Sequence, residues 1–122
     1  MNRVLMIDRD AGEMQRLGLA CLARGVAVAM AENLCEGVRG LLSTPVSLVA
    51  VDHELLHFTP AENATLFERV AKGVPVTVVV RPDTPVEARV ALEIQGFRVL
   101  PRPLSVEDLL DKPGTGTGPT AG

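Results

Sequence analysis

The stretch that decides the fold is Val46-Ser47-Leu48-Val49-Ala50-Val51-Asp52-His53. From Leu48 to Val51 it is apolar without alternation, as in a strand covered on both faces, and it ends abruptly on a carboxylate. An acid at such a strand end is where open parallel sheets place their chemistry.

Similar runs lie on either side: Val4 to Ile7, Val26 to Ala31, Val76 to Val80 and Phe97 to Leu100. The five recur about every twenty residues and read as strands. Each run is followed by a capping residue with an acid three positions later: Asp10/Glu13, Asn33/Glu36, Thr59/Glu62, Thr84/Glu87 and Ser105/Asp108. These pairs predict five helix starts with capping boxes. Pro60 and Pro85 are expected at first helical positions, where a missing N–H costs nothing. Arg24-Gly25, Lys72-Gly73 and Gly96 mark helix ends, with Gly supplying the left-handed residue. The stripes Leu34, Val38, Leu41, Leu42 and Leu66, Phe67, Val70 have helical spacing and should face the sheet, whereas Gly37 and Gly40 should weaken the second helix.

Alternating strands and helices in this order predict a (βα)5 doubly wound, five-stranded parallel sheet of flavodoxin-like topology, an α/β fold with helices on both faces. With 122 residues this is one domain. It is expected over 1–112, and the Pro/Gly/Thr segment 113–122 is too poor in apolar residues to order itself.

Composition narrows the function. A net charge of −3 and the absence of Trp and Tyr give neither phosphate attraction nor base-stacking platforms, so direct nucleic-acid binding is not expected. No apolar run approaches a membrane span, and Asp8 interrupts any signal-peptide core, which predicts a cytoplasmic protein. Cys21 and Cys35 lack metal or redox spacing and read as packing residues. His53 and His57, without a third ligand, read as solvated loop histidines.

The strand ends gather Asp8, Arg9 and Asp10, then Asp52 and His53, Arg81, and Arg102. Taken with Val74-Pro75-Val76 and Gly96 through Leu100-Pro101-Arg102-Pro103, the chain resembles response-regulator receiver (CheY-like) domains over about residues 3 to 110. The resemblance makes Asp52 the candidate phospho-acceptor, and Asp8, Asp52 and the carbonyl of Glu54 the ligands of a Mg2+ ion. Pro103 becomes a candidate cis proline.

Departures from the family are concentrated at its working parts. Arg9 replaces the second metal-binding acid, and Arg102 the lysine. The hydroxyl switch position is Val80 and the aromatic switch position is Val99. A guanidinium at Arg9 is expected to pair with Asp8 or Asp52 and to take over a metal's neutralising role. Arg9, Asp8 and Asp52 would then form a structural salt-bridge network, as in a pseudo-receiver.

The chain is therefore expected to be a receiver-like signalling module acting through protein–protein contact, without conventional phosphorylation and without a cofactor. The alternative is a working receiver phosphorylated on Asp52 by a histidine kinase with Mg2+. Expected partners are a kinase, an output protein or a second copy, and the surface of the fourth and fifth helices and last strand, with Val86, Arg89 and Arg98, is the expected interface. Enzymatic activity is not expected. Asp8-Arg9-Asp10 also resembles the Asp-x-Asp of haloacid-dehalogenase-type phosphatases, but Lys72 and Lys112 lie at helix ends and no later acidic pair follows a strand.

Overall fold

In a computed structural model, which describes residues 2–111, the chain alternates β1 (Arg3–Ile7), α1 (Ala11–Leu22), β2 (Ala27–Ala31), α2 (Leu34–Ser43), β3 (Leu48–Asp52), α3 (Pro60–Val70), β4 (Val76–Val80), α4 (Val86–Ile94), β5 (Arg98–Pro101) and α5 (Val106–Leu110). The strands form one parallel sheet in the order β2-β1-β3-β4-β5. The expected (βα)5 doubly wound architecture is present. The segment 113–122 lies outside the described residues.

Successive strand residues point to opposite faces, so the sheet feeds two cores. Leu5, Ile7, Val49, Val51, Val78, Val80 and Val99 pack on one side against Phe67 of α3 and Leu92 of α4. Val4, Met6, Leu48, Ala50 and Val79 pack on the other against Met14, Leu17 and Cys21 of α1 and Leu109 of α5. The alternation continues to the strand ends: Ile7 and Val51 belong to the first face, so Asp8 and Asp52, one residue on, follow the register of the second, toward α1 and α5.

Helix starts follow the capping residues at four of five places. Asp10, Asn33, Thr59 and Ser105 accept from the expected N–H groups, although only Thr59 and Glu62 complete a reciprocal box. Elsewhere the acid is diverted: Glu36 accepts from the N–H of Glu32, and Glu13 turns to Arg102. The fourth start differs from expectation. Arg81 to Thr84 closes into a turn through Thr84 N–H to the Arg81 carbonyl (3.0 Å), and the Pro85 carbonyl accepts from Ala88 and Arg89. Pro85 is thus the N-cap itself, Thr84 caps nothing, and α4 begins at Val86.

The helix ends at Gly25, Gly73 and Gly96 all carry positive φ, and Arg102–Pro103 is cis. Three packing expectations change. Leu42 is 70% exposed rather than facing the sheet, because Gly37 is the residue in contact there; a Cβ on Gly37 would lie 2.4 Å from Ile7 Cδ1. Gly37 therefore permits close approach of α2 to β1 and is not merely a weak point in the helix. Cys21 is buried, but Cys35 is exposed and packs nothing.

Candidate functional site at the carboxyl end of the sheet

The site is assembled from four elements. β1 delivers Asp8, β3 delivers Asp52, the first turn of α1 delivers Glu13, and the connection after β5 delivers Arg102, whose N–H is tied to the Val80 carbonyl (2.9 Å). Arg102 Nη2 donates to Asp8 Oδ2 at 2.6 Å and lies 3.3 Å from Asp52 Oδ2, while Nη1 donates to Glu13 Oε1. One guanidinium therefore bridges three carboxylates. All four side chains are largely buried; that of Asp52 is 13% exposed.

The remaining oxygens of both aspartates are also engaged. Asp8 Oδ1 accepts the N–H of Asp10, and Asp52 Oδ1 accepts the N–H of Glu54, each at 3.0 Å. Each carboxylate is thus oriented by a backbone amide on one oxygen and held by Arg102 on the other. Burial pushes the Arg102 pKa down, but the hydrogen bond it donates to Asp8 and the charges of Asp8, Glu13 and Asp52 outweigh it and hold the group above the ordinary arginine value.

The expectation for Arg9 is corrected. The turn closed by Asp8 Oδ1 on the Asp10 N–H carries Arg9 outward to solvent, and it makes no ion pair among the described residues. The salt-bridge network exists, but Arg102 is its centre. Glu13 is the member that residue patterning missed, because it reads as the acid of a capping box. The signal was its position one helical turn above the end of β1, opposite a cation after β5.

Glu54 sends its carboxylate to Arg81 (3.7 Å), and Arg81 also pairs with Asp83 (3.0 Å). Val80 is fully buried and Val99 nearly so, both within the α3/α4 core, so neither offers a hydrogen bond to the pocket. His53 begins a short 3-10 turn, His53–Leu55, and His57 is exposed.

A Mg2+ ion between Asp8 and Asp52 is what a receiver-like strand end implies. The residues do not fit one as arranged, since the oxygens that would face the ion both face Arg102 Nη2. A metal there would have to displace the guanidinium.

Known structures fit this arrangement of strands. A response regulator of Burkholderia pseudomallei, solved with a phosphorylated aspartic acid, calcium and citrate, superposes with a TM-score of 0.77 at 20% identity, over 90% of this chain and 65% of that one. The chain has the response-regulator receiver fold. The beryllofluoride-activated NtrC4 receiver dimer gives 0.77 at 20% identity over 90% of this chain and 91% of that one, and a CheY-like receiver of Methanospirillum hungatei JF-1 gives 0.75 at 20% over 90% and 88%. In sequence, the transcriptional regulatory proteins GlrR of Escherichia coli K12 and QseF of E. coli O157:H7 are each 27% identical over 106 residues, 87% of this chain. The receiver-like chain spans about a quarter of the length of these curated relatives, 24%. No family model matches.

Proposed function

We propose that this chain is a receiver-type signalling module that works through protein–protein contact, with Asp52 held by Arg102 instead of being phosphorylated in the conventional way. The observation that carries this reading is the double hold on Asp52. Its Oδ1 accepts the Glu54 amide, and its Oδ2 faces the same guanidinium nitrogen that binds Asp8.

Phosphoryl transfer to a carboxylate needs a free nucleophilic oxygen and a cation able to neutralise the transferring group. Here the cation is already committed to the nucleophile. Val80 cannot donate a hydrogen bond to a phosphoryl group, and Val99 is no aromatic switch, so the parts that would report phosphorylation to the surface are also missing.

The partner face best supported is α4. Val86, Val90 and Ile94 form one exposed apolar stripe at four-residue spacing, with Val86 68% and Ile94 75% exposed. A kinase, an output protein or a second copy would be read by that stripe; the similar NtrC4 receiver is a dimer. Of the other residues expected there, Arg98 is instead committed to Asp111 (2.6 Å to its carbonyl). The acidic net charge argues for protein and not nucleic acid as partner. No helix among the described residues is long and apolar enough to cross a membrane.

Incubation with acetyl phosphate and Mg2+, followed by intact-mass spectrometry, tests the reading. No phosphoryl mass gain is expected. Stoichiometric gain located on Asp52 would replace it with that of a phosphorylated two-component receiver.

A further inference from the structure

We propose that the free edge of β2 is a self-association surface, on which a second copy of this chain pairs its own β2 antiparallel about a two-fold axis at Ala29. This goes beyond the reading above: it does not involve Asp52, and it leaves α4, near the opposite edge of the sheet, free for other partners.

The two edges of the sheet are built differently. β5 has four residues, begins on Arg98 and ends on Pro101, which has no N–H to offer. A charge, a proline and a short length are devices that keep an edge strand from pairing. β2, Ala27-Val28-Ala29-Met30-Ala31, carries neither charge nor proline. Its Ala27 N–H donates to the Asn2 carbonyl, and its Ala31 carbonyl accepts from the Asp8 N–H. Backbone direction alternates along a strand, so Ala27, Ala29 and Ala31 face β1, whereas Val28 and Met30 turn both N–H and C=O outward.

This edge is complementary to itself. About Ala29 it reads Ala-Val-Ala-Met-Ala, nearly a palindrome. A two-fold axis there sets Val28 of each copy opposite Met30 of the other, the residues whose polar groups point outward, and closes four backbone hydrogen bonds. On one face the seam pairs a compact apolar side chain with a long one, and on the other it meets only alanines. The charges agree with an antiparallel seam. Within three residues of Ala29 the one ionisable group is Glu32, and its two copies would stand at opposite ends, about 20 Å apart. A parallel pairing in register would set them side by side.

The helix α1 extends the surface. A shallow groove of about 320 Å3 between helix and strand is lined by Gln15, Gly18, Leu19, Leu22, Val28 and Met30. Gly18 brings the α1 backbone down onto Met30, for a Cβ there would lie 2.8 Å from Met30 Cε. Leu19, Leu22 and Met30 are exposed, and no charge interrupts them, because the ionised side chains in and just after α1 are engaged elsewhere. Glu13 binds Arg102, Arg16 donates to the Leu104 carbonyl, and Arg24 pairs with Glu107 of α5. Contiguous apolar surface of this kind marks an interface, and pairing two copies covers it together with the open strand edge.

Sedimentation equilibrium on the full chain tests the pairing. Wild type should pass from monomer to dimer with a Kd of about 1–100 μM. M30K, a charged substitution on the seam, and L22K, on α1, should each weaken association at least about tenfold. V90K, on the α4 stripe, should leave it unchanged. In concentrated wild type the amides of Val28 and Met30 should exchange at least about tenfold more slowly than in dilute wild type. A chain still monomeric at about 1 mM would overturn the inference, whether or not an extended peptide protects the same amides. A dimer lost in V90K but kept in M30K and L22K would put the second copy on α4 instead, and a dimer whose Val28 and Met30 amides stay fast would refute the strand pairing. If M30K does not fold, L22K decides, since Leu22 is exposed and its replacement leaves the core untouched.

Discussion

Replacing Gly37 by Ala should destabilise the protein although it removes a glycine from the middle of a helix. In α2 the change by itself is worth about 1 kcal/mol in favour of folding, because Ala is the better helix former. The new Cβ, however, would lie 2.4 Å from Ile7 Cδ1 and 2.8 Å from Ile7 Cγ1. Rotation about χ2 can move the first atom but not the second, and the χ1 of a β-branched residue is stiff. Ile7 is completely buried among Val49, Val51 and Leu5, so either it leaves its rotamer or α2 moves off the sheet. Overpacking of this kind costs about 1–3 kcal/mol, which leaves a net loss of about 1 kcal/mol once the helix gain is subtracted.

Gly40 provides the control on the same helix. Its added Cβ would meet only Leu5 Cδ1, at 3.8 Å, so G40A should stabilise by about 0.5–1 kcal/mol. The two variants share the propensity term, and their difference, about 2 kcal/mol, isolates the steric one. With no Trp or Tyr in the chain, urea denaturation followed by far-UV circular dichroism is the suitable assay, with the urea dependence of ΔG unchanged. I7V removes Cδ1, the nearer of the two clashing atoms, while keeping a carbon at Cγ1; it should cost about 1 kcal/mol alone, but about 0.5 kcal/mol less in the G37A background. Equal stability of G37A and G40A, or additive behaviour of I7V with G37A, would refute the close approach of α2 to β1. That approach matters for the site because Ile7 directly precedes Asp8.

Two further outcomes are expected. Thr77 is fully buried in β4 and its hydroxyl finds no hydrogen-bond partner among the described residues; T77V keeps the shape and should raise stability by about 1 kcal/mol in the same urea assay. R102K should make the protein newly sensitive to alkali. Because the folded pKa of Arg102 is raised, its contribution is complete below the ordinary arginine value and lost only above it. A lysine facing the same carboxylates would likewise have its pKa raised above about 10.4, so its contribution would disappear as pH rises through that higher folded value. The stability difference between wild type and R102K should stay constant up to about pH 9 and widen by on the order of 1 kcal/mol by about pH 11. A difference that stays flat would mean that residue 102 is not an ion-pairing centre.

The fold was legible because its signals are local and agree with one another. Apolar runs, capping residues and terminal glycines each act within a few residues, and the helix ends at Gly25, Gly73 and Gly96 fell where that local chemistry required. The misreadings came from tertiary competition. Propensity makes Gly37 a weak point, whereas its role is set by Ile7 in another element. Residue type and spacing make Thr84 a cap, but the turn from Arg81 shifts the helix start past it. Apolar character points Cys35 and Leu42 inward, and that alone does not say which side of a helix faces the sheet.

The site was legible in its acids and not in its cation, for a reason that lies in strand geometry. Asp8 and Asp52 end neighbouring strands in matching register, with Ile7 opposite Val51, and so converge whatever surrounds them. The choice between Arg9 and Arg102 depends on direction, and adjacency in sequence favours the wrong one. A side chain next to Asp8 along an extended chain points away from it, and here the turn on Asp10 N–H sends Arg9 into solvent. A cation just past β5, a strand two places from β3 in the sheet, reaches across α1's side because the connection after β5 turns there before α5. Once Arg102 occupies that position, Glu13 gains a partner that its capping-box reading could not supply, and four residues with sequence separations of up to 94 become one electrostatic unit. The bridging charge therefore follows the spatial order of strand ends, β1, β3, β4, β5, and not the order of residues along the chain.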